Sequence, residues 1–107
     1  FNLNLLARIN RELDADFNLA QFEHIAKINH QDRSVEMHLR SMCRQTVNVP
    51  AAELTVDLLE GETIWTESSH KYSPQEILPM ARSAGFRCEA QWIDEQWPFA
   101  ENLLIAE

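Results

Sequence analysis

The chain has 107 residues, of which 45% are hydrophobic and 24% charged, with a formal net charge of -8. That length suits one domain rather than two, and the negative charge opposes phosphate backbones and anionic lipid, so neither nucleic acid nor a membrane surface is an expected partner. No apolar run approaches the ~20 residues a membrane helix needs, and no signal-peptide pattern, internal repeat or low-complexity tract is present.

In chain order, Phe1, Leu5, Leu6, Ile9 and Leu13 recur at three-to-four-residue spacing, which predicts an amphipathic helix ending near Leu13. The chain starts inside this helical pattern and without methionine. The expectation is a piece of a longer polypeptide, with proteolytic maturation as the competing explanation. Asp14-Ala15-Asp16-Phe17 breaks the pattern, and Asn18 is placed to cap a short turn over Leu19 to Phe22. Glu23 to Asn29 has no clear period. Gln31 to Ser34 reads as a turn, and Val35 to Met42 and Gln45 to Val49 as strands. The first of these strands puts Val35, Met37 and Leu39 on one face. Pro50 confines the second to a sheet edge or a strand end.

Leu54 to Leu58 alternates as a strand, and Leu59-Glu60-Gly61 supplies a turn with a glycine for positive φ. The segment Glu62 to Tyr72 is expected to return beside it as a hairpin. Ser73-Pro74-Gln75-Glu76 has the form of a capping box with proline at the first helical position. Ile77, Met80, Ala81 and Ala84 would form that helix's buried stripe, and Gly85 its left-handed end. Strands Phe86 to Ile93 and Phe99 to Ala106 close the chain. The fold class is α+β, mostly antiparallel sheet with two or three helices.

The segment Glu62 to Pro74 is extended by composition yet unusually polar. Strict alternation puts Thr63, Trp65, Glu67, Ser69 and Lys71 on one face, and Ile64, Thr66, Ser68 and His70 on the other. Glu67 and Ser69 are then neighbours about 7 Å apart, able to grip two ends of a small polar ring. A solvated sheet face is the plainer reading of the same pattern. Met37 is either a core residue or a pocket wall whose shape adapts to a ligand. Trp65, Trp92 and Trp97 read as core or interface residues before pocket residues.

Catalytic machinery is not legible. His24, His30, His38 and His70 have no metal-ligand spacing and read as structural or surface residues, and no nucleophile elbow occurs. Cys43 and Cys88 fit no zinc or redox spacing, so two reduced thiols in a cytoplasmic setting are expected. The only glycines, Gly61 and Gly85, cannot build a phosphate-binding loop.

Four ordered blocks carry a family resemblance. They are Phe1-Asn2 through Asn10-Arg11-Glu12-Leu13 and Ala15-Asp16-Phe17 to Phe22-Glu23-His24; Val35-Glu36-Met37-His38-Leu39-Arg40; Gly61 through Tyr72; and Ala84-Gly85-Phe86 with Trp92. Together they resemble the histidine-specific, S-adenosylmethionine-dependent methyltransferases, whose best-known members make hercynine for ergothioneine biosynthesis. The resemblance runs over essentially the whole chain, and it matches roughly the last third of the family's length. It implies a substrate-recognition part over 1–72 and, over 73–107, the terminal helix and strand pair of a Rossmann-like core, together one compact unit.

By the same resemblance, Glu67 and Ser69 bind the imidazole of L-histidine and Met37 lines that pocket. A neutral imidazole offers one N–H and one bare nitrogen, so an ionised Glu67 would accept the first while Ser69 donates to the second. The S-adenosylmethionine site and the asparagine that grips the substrate's amino-acid group belong upstream. Hence no catalytic, cofactor-binding or metal residue is expected in this chain, and the isolated chain is expected to be inactive. His70 and Tyr72 around Lys71, and Glu95 to Phe99 before the last strand, depart from the family's usual pattern. A stand-alone binding or oligomerisation module of the same fold is the alternative. A family member acting on another amino acid is a third reading. Exposed apolar faces would also favour a homodimer.

Overall fold

The computed structural model describes residues 1–107, which divide into two compact units, Phe1–His70 and Lys71–Glu107. In the first unit, helix α1 (Leu3–Leu13) is followed by a 3-10 turn at Leu19–Gln21 and then by strands β1 (Phe22–Asn29), β2 (Ser34–Ser41), β3 (Gln45–Val49), β4 (Leu54–Leu58) and β5 (Thr63–His70). Strands β1, β2 and β5 make one antiparallel sheet in that order, and β3 and β4 make a second. The expected hairpin between Leu54–Leu58 and the polar strand does not form: β4 pairs with β3, and β5 crosses to the far edge of β2.

The core explains that choice. Leu6 of α1, Phe22, Leu39, Val47, Val49 and Leu58 are buried together, with Leu3, Ile9 and Ile64 packed against them. Joining β5 to β2 puts Ile64 opposite Leu39 and over this cluster. A β4–β5 hairpin is a local connection, but it would leave the second edge of β2 unpaired. Helix α1 turns inward the Leu3–Leu6–Ile9 stripe, whereas Phe1, Leu5 and Leu13 remain exposed. Asp14, in the left-handed conformation at φ 55°, stops the helix. Asn18 Oδ1 accepts a hydrogen bond from the Ala20 amide at 3.2 Å, capping the short turn as its side chain suggests.

In the second unit, α2 (Pro74–Ser83) packs on β6 (Phe86–Ile93), which pairs antiparallel with β7 (Ala100–Ala106). Its start is a capping box: Glu76 Oε1 accepts from the Ser73 amide at 3.3 Å and from the Ser73 hydroxyl at 3.0 Å. Gly85, at φ 86°, turns the chain out of the helix into β6. The apolar stripe is thinner than the spacing predicts, because only Ala81 is buried while Met80 and Ala84 are exposed. Trp65, Trp92 and Trp97 are all exposed as well, so none of them belongs to a core within this chain.

Candidate functional site

The β2–β5 ladder places the candidate residues. Met37 stands opposite Glu67 and Val35 opposite Ser69. Directly opposed side chains share a face with Cβ atoms roughly 4.5–5.5 Å apart. Met37, Glu67 and Ser69 therefore lie together on one face of this pair, and it is the face that α1 covers further along through Leu39 and Ile64. Met37 and Ser69 are half-buried and Glu67 is exposed.

Strict alternation along β5 is wrong in one respect. The register shifts between Met37 and His38, so that His38 pairs with Trp65 and Met37 with Glu67, and Thr66 has no partner. This is a β-bulge, and an extra residue inverts the phase of everything beyond it. Trp65 consequently faces away from Glu67 and Ser69, while Ile64, two positions before the bulge, shares their face. The sequence contains no glycine or proline at this point to mark the irregularity.

The opposite face has its own cluster. The His38 ring stacks on Trp65 with centroids 5.9 Å apart and an 18° interplanar angle. Its Nε2 lies 2.9 Å from Glu36 Oε1 and its Nδ1 lies 3.2 Å from the Thr63 hydroxyl. Asn29 donates to the other Glu36 oxygen at 2.9 Å. The Asn29 amide first, and then the His38 ring, hold the Glu36 carboxyl below the usual carboxylate range. With Glu36 ionised, His38 Nε2 carries the donated proton. The Trp65 indole N–H points to Ser68 Oγ at 3.1 Å, which ties that side chain to the same face. His38 is thus a satisfied structural histidine, as its lone position suggests.

Beside Glu67 on the α1 side lies a concavity of about 330 Å³, lined by Phe1, Asn2, Asn4, Leu5, Arg8, Thr66 and Glu67. Asn2 was not legible as a site residue, yet its amide touches three strands. Its Nδ2 lies 3.1 Å from His24 Nδ1 and donates to the His38 carbonyl at 3.2 Å, and its Oδ1 lies 2.8 Å from the Thr66 hydroxyl. Of the three predicted residues only Glu67 lines this concavity; Met37 and Ser69 share its strand face but lie outside the lining. A carboxylate, a hydroxyl and a thioether on one face are chemically able to meet a small ligand that has both a donor and an acceptor. No group of three histidine, cysteine or acidic side chains is arranged to hold a metal ion. Cys43 and Cys88 are free thiols, and no helix is long and apolar enough to cross a membrane.

The family model described as histidine-specific methyltransferase, SAM-dependent, matches residues 1–106. A histidine N-alpha-methyltransferase of Mycolicibacterium smegmatis is 42% identical over 105 residues, covering 98% of this chain and 33% of that protein. The histidine N-alpha-methyltransferase of Mycobacterium tuberculosis is 44% identical over 103 residues, covering 96% of this chain and 32% of that protein. The chain therefore spans about a third of the length of the curated relatives it matches.

Proposed function

The chain belongs to the histidine-specific, S-adenosylmethionine-dependent methyltransferases, and from that premise we propose that it is the substrate-recognition and C-terminal part of an enzyme methylating the α-amino nitrogen of L-histidine. The observation that carries the reading is the placement of Glu67 opposite Met37, with Ser69 two residues along on the same face. In this reading the Glu67 carboxylate accepts the imidazole N–H, the Ser69 hydroxyl donates to the other ring nitrogen, and Met37 packs against the ring. A pocket that satisfies both nitrogens rejects an apolar side chain, because its own polar groups would be left unpaired.

Neither glycine turn of this chain fits the methyl donor. Gly61, at φ 85°, closes the turn before β5, and Gly85 closes the end of α2. Neither opens a helix N-terminus as a nucleotide-cradling glycine does. No step of methyl transfer is therefore assigned to these residues. The product would be a methylated histidine such as hercynine, the setting ergothioneine biosynthesis, and the location the cytoplasm, where Cys43 and Cys88 stay reduced.

The test is Glu67→Ala in the full natural polypeptide. Histidine affinity should fall by about 10- to 100-fold, the loss expected for one charged hydrogen bond. Affinity for S-adenosylmethionine should stay within about twofold, well under the 1.4 kcal/mol that a tenfold change represents. Calorimetry that finds histidine affinity unchanged sinks the assignment. One observation favours a second reading, a stand-alone binding or oligomerisation module: Phe86, Trp92, Ile93, Leu103 and Leu104 of β6 and β7 are all exposed. A one-chain mass by light scattering at high concentration would remove the homodimer that these exposed faces favour, and with it the oligomerisation form of this reading.

A further inference from the structure

The ladder between β2 and β5 has two possible registers for one sequence. If β5 continued regularly from Leu39↔Ile64 and His38↔Trp65, Thr66 would face Met37 and Glu67 would face Glu36. The carboxylate would then lie on the His38 side, opposite a like charge, a pairing that destabilises a sheet. In the observed register Thr66 bulges out, and Glu67 and Ser69 return to the Met37 face. One residue of slip thus decides whether the three side chains share a face.

Specific contacts hold the bulged register. The Thr66 hydroxyl lies 2.8 Å from Asn2 Oδ1 and 3.0 Å from the Met37 carbonyl oxygen, so its one proton serves either acceptor. The Asn2 amide is itself fixed, since its Nδ2 donates to the His38 carbonyl at 3.2 Å and lies 3.1 Å from His24 Nδ1. Asn2 precedes α1, so the helix that covers the core end of this face also clasps the bulge. Thr66 is half-buried and lines the same concavity as Glu67.

We propose that Thr66 and Asn2 are positioning residues of the histidine site, forming a clasp that selects the bulged register of β5 and so turns Glu67 and Ser69 toward Met37. The inference rests on the function proposed above. Losing the clasp lets the regular register compete, and histidine then binds only the fraction of molecules that remain competent.

The experiment measures KM for histidine, kcat and S-adenosylmethionine affinity in the full natural polypeptide. Thr66→Val and Asn2→Ala should each raise KM by about tenfold, the shift expected when the competent register falls to roughly a tenth of molecules. Methyl-donor affinity should not move, and Thr66→Ser, which keeps the hydroxyl, should stay near the parent. The decisive variant deletes Thr66 in the Asn2→Ala background. With the extra residue gone, the regular register itself puts Glu67 opposite Met37 and Ser69 opposite Val35, so KM should recover. Parental KM in both Thr66→Val and Asn2→Ala overturns the proposal, as does a lowered melting temperature with KM unmoved. Failure of the deletion to rescue Asn2→Ala overturns the register argument, and this arm stands even if Thr66→Val does not fold. An unaffected Glu67→Ala instead removes the reading of the site on which the clasp depends.

Discussion

Phe1–His70 and Lys71–Glu107 have similar element types but place their apolar side chains differently. The first unit closes a core in which α1, β1, β2, β3 and β4 each contribute a buried residue. The second is one helix on one hairpin, with Ala81 as its only buried hydrophobic residue, while Phe86, Trp92, Ile93, Leu103 and Leu104 stay exposed. A two-stranded sheet with a single helix has too little surface to enclose. The difference separates a unit that encloses its own apolar core from one that leaves most of its apolar side chains uncovered.

Core truncation is the strongest way to break that comparison. Leu39 is 0% exposed and Leu104 is 39% exposed. Leu39→Ala should cost about 2–5 kcal/mol, a lost side chain plus the cavity it leaves. Leu104→Ala should cost about 1 kcal/mol or less in the 107-residue chain. Urea unfolding of the two variants measures both. Equal losses would mean that the second unit has a core after all.

The same contrast governs what could be read from residue types. Elements with strong local signals were legible: the α1 helix to Leu13, though not which of its leucines turn inward, the Ser73-Pro74-Gln75-Glu76 helix start and the two glycine turns. Strand partners were not, because whether β5 joins β4 or β2 depends on the burial of Leu39 and Ile64. The polar pair Glu67 and Ser69 was legible as a pair, but its face was not. Period-two alternation assumes an unbroken ladder, and nothing in Thr66 itself announces a bulge. The partner that holds Thr66 is Asn2, 64 positions away.

Capping sharpens the comparison at the boundary of the second unit. With little burial beneath it, α2 depends more than α1 on its local start. Ser73→Ala removes the hydroxyl that lies 3.0 Å from Glu76 Oε1 and should cost about 1 kcal/mol. Loss of amide-exchange protection should be confined to α2 and the hairpin it packs on, leaving β1, β2 and β5 unchanged. Loss of protection that spread into β2 would show the two units to be one cooperative body.

Acid is the gentlest probe, and it acts on named groups of the first unit. Asp16 Oδ1 accepts from the Asn48 amide at 2.7 Å and Oδ2 from the Asn48 side chain at 3.3 Å, pinning the segment after α1 to β3. The backbone bond first, then the side-chain bond, hold the Asp16 carboxyl below its ordinary 3.8. Glu36 is lowered in the same sense from 4.5 by Asn29 and His38. A folded-state value below the unfolded one means that the unfolded chain binds protons first as pH falls. The stabilisation is therefore complete above the unfolded values, and it drains away as pH drops below about 4 toward the lowered folded values. Asp16→Asn removes one of the two titrations. The stability gap between the parent and Asp16→Asn, measured by denaturant unfolding, should accordingly be widest near neutral pH and narrow as pH falls below about 4. A gap that stays constant with pH would place the value of the Asp16–Asn48 contact in neutral hydrogen bonding, and leave Glu36, beneath His38, as the acid-sensitive group of the unit that holds the site.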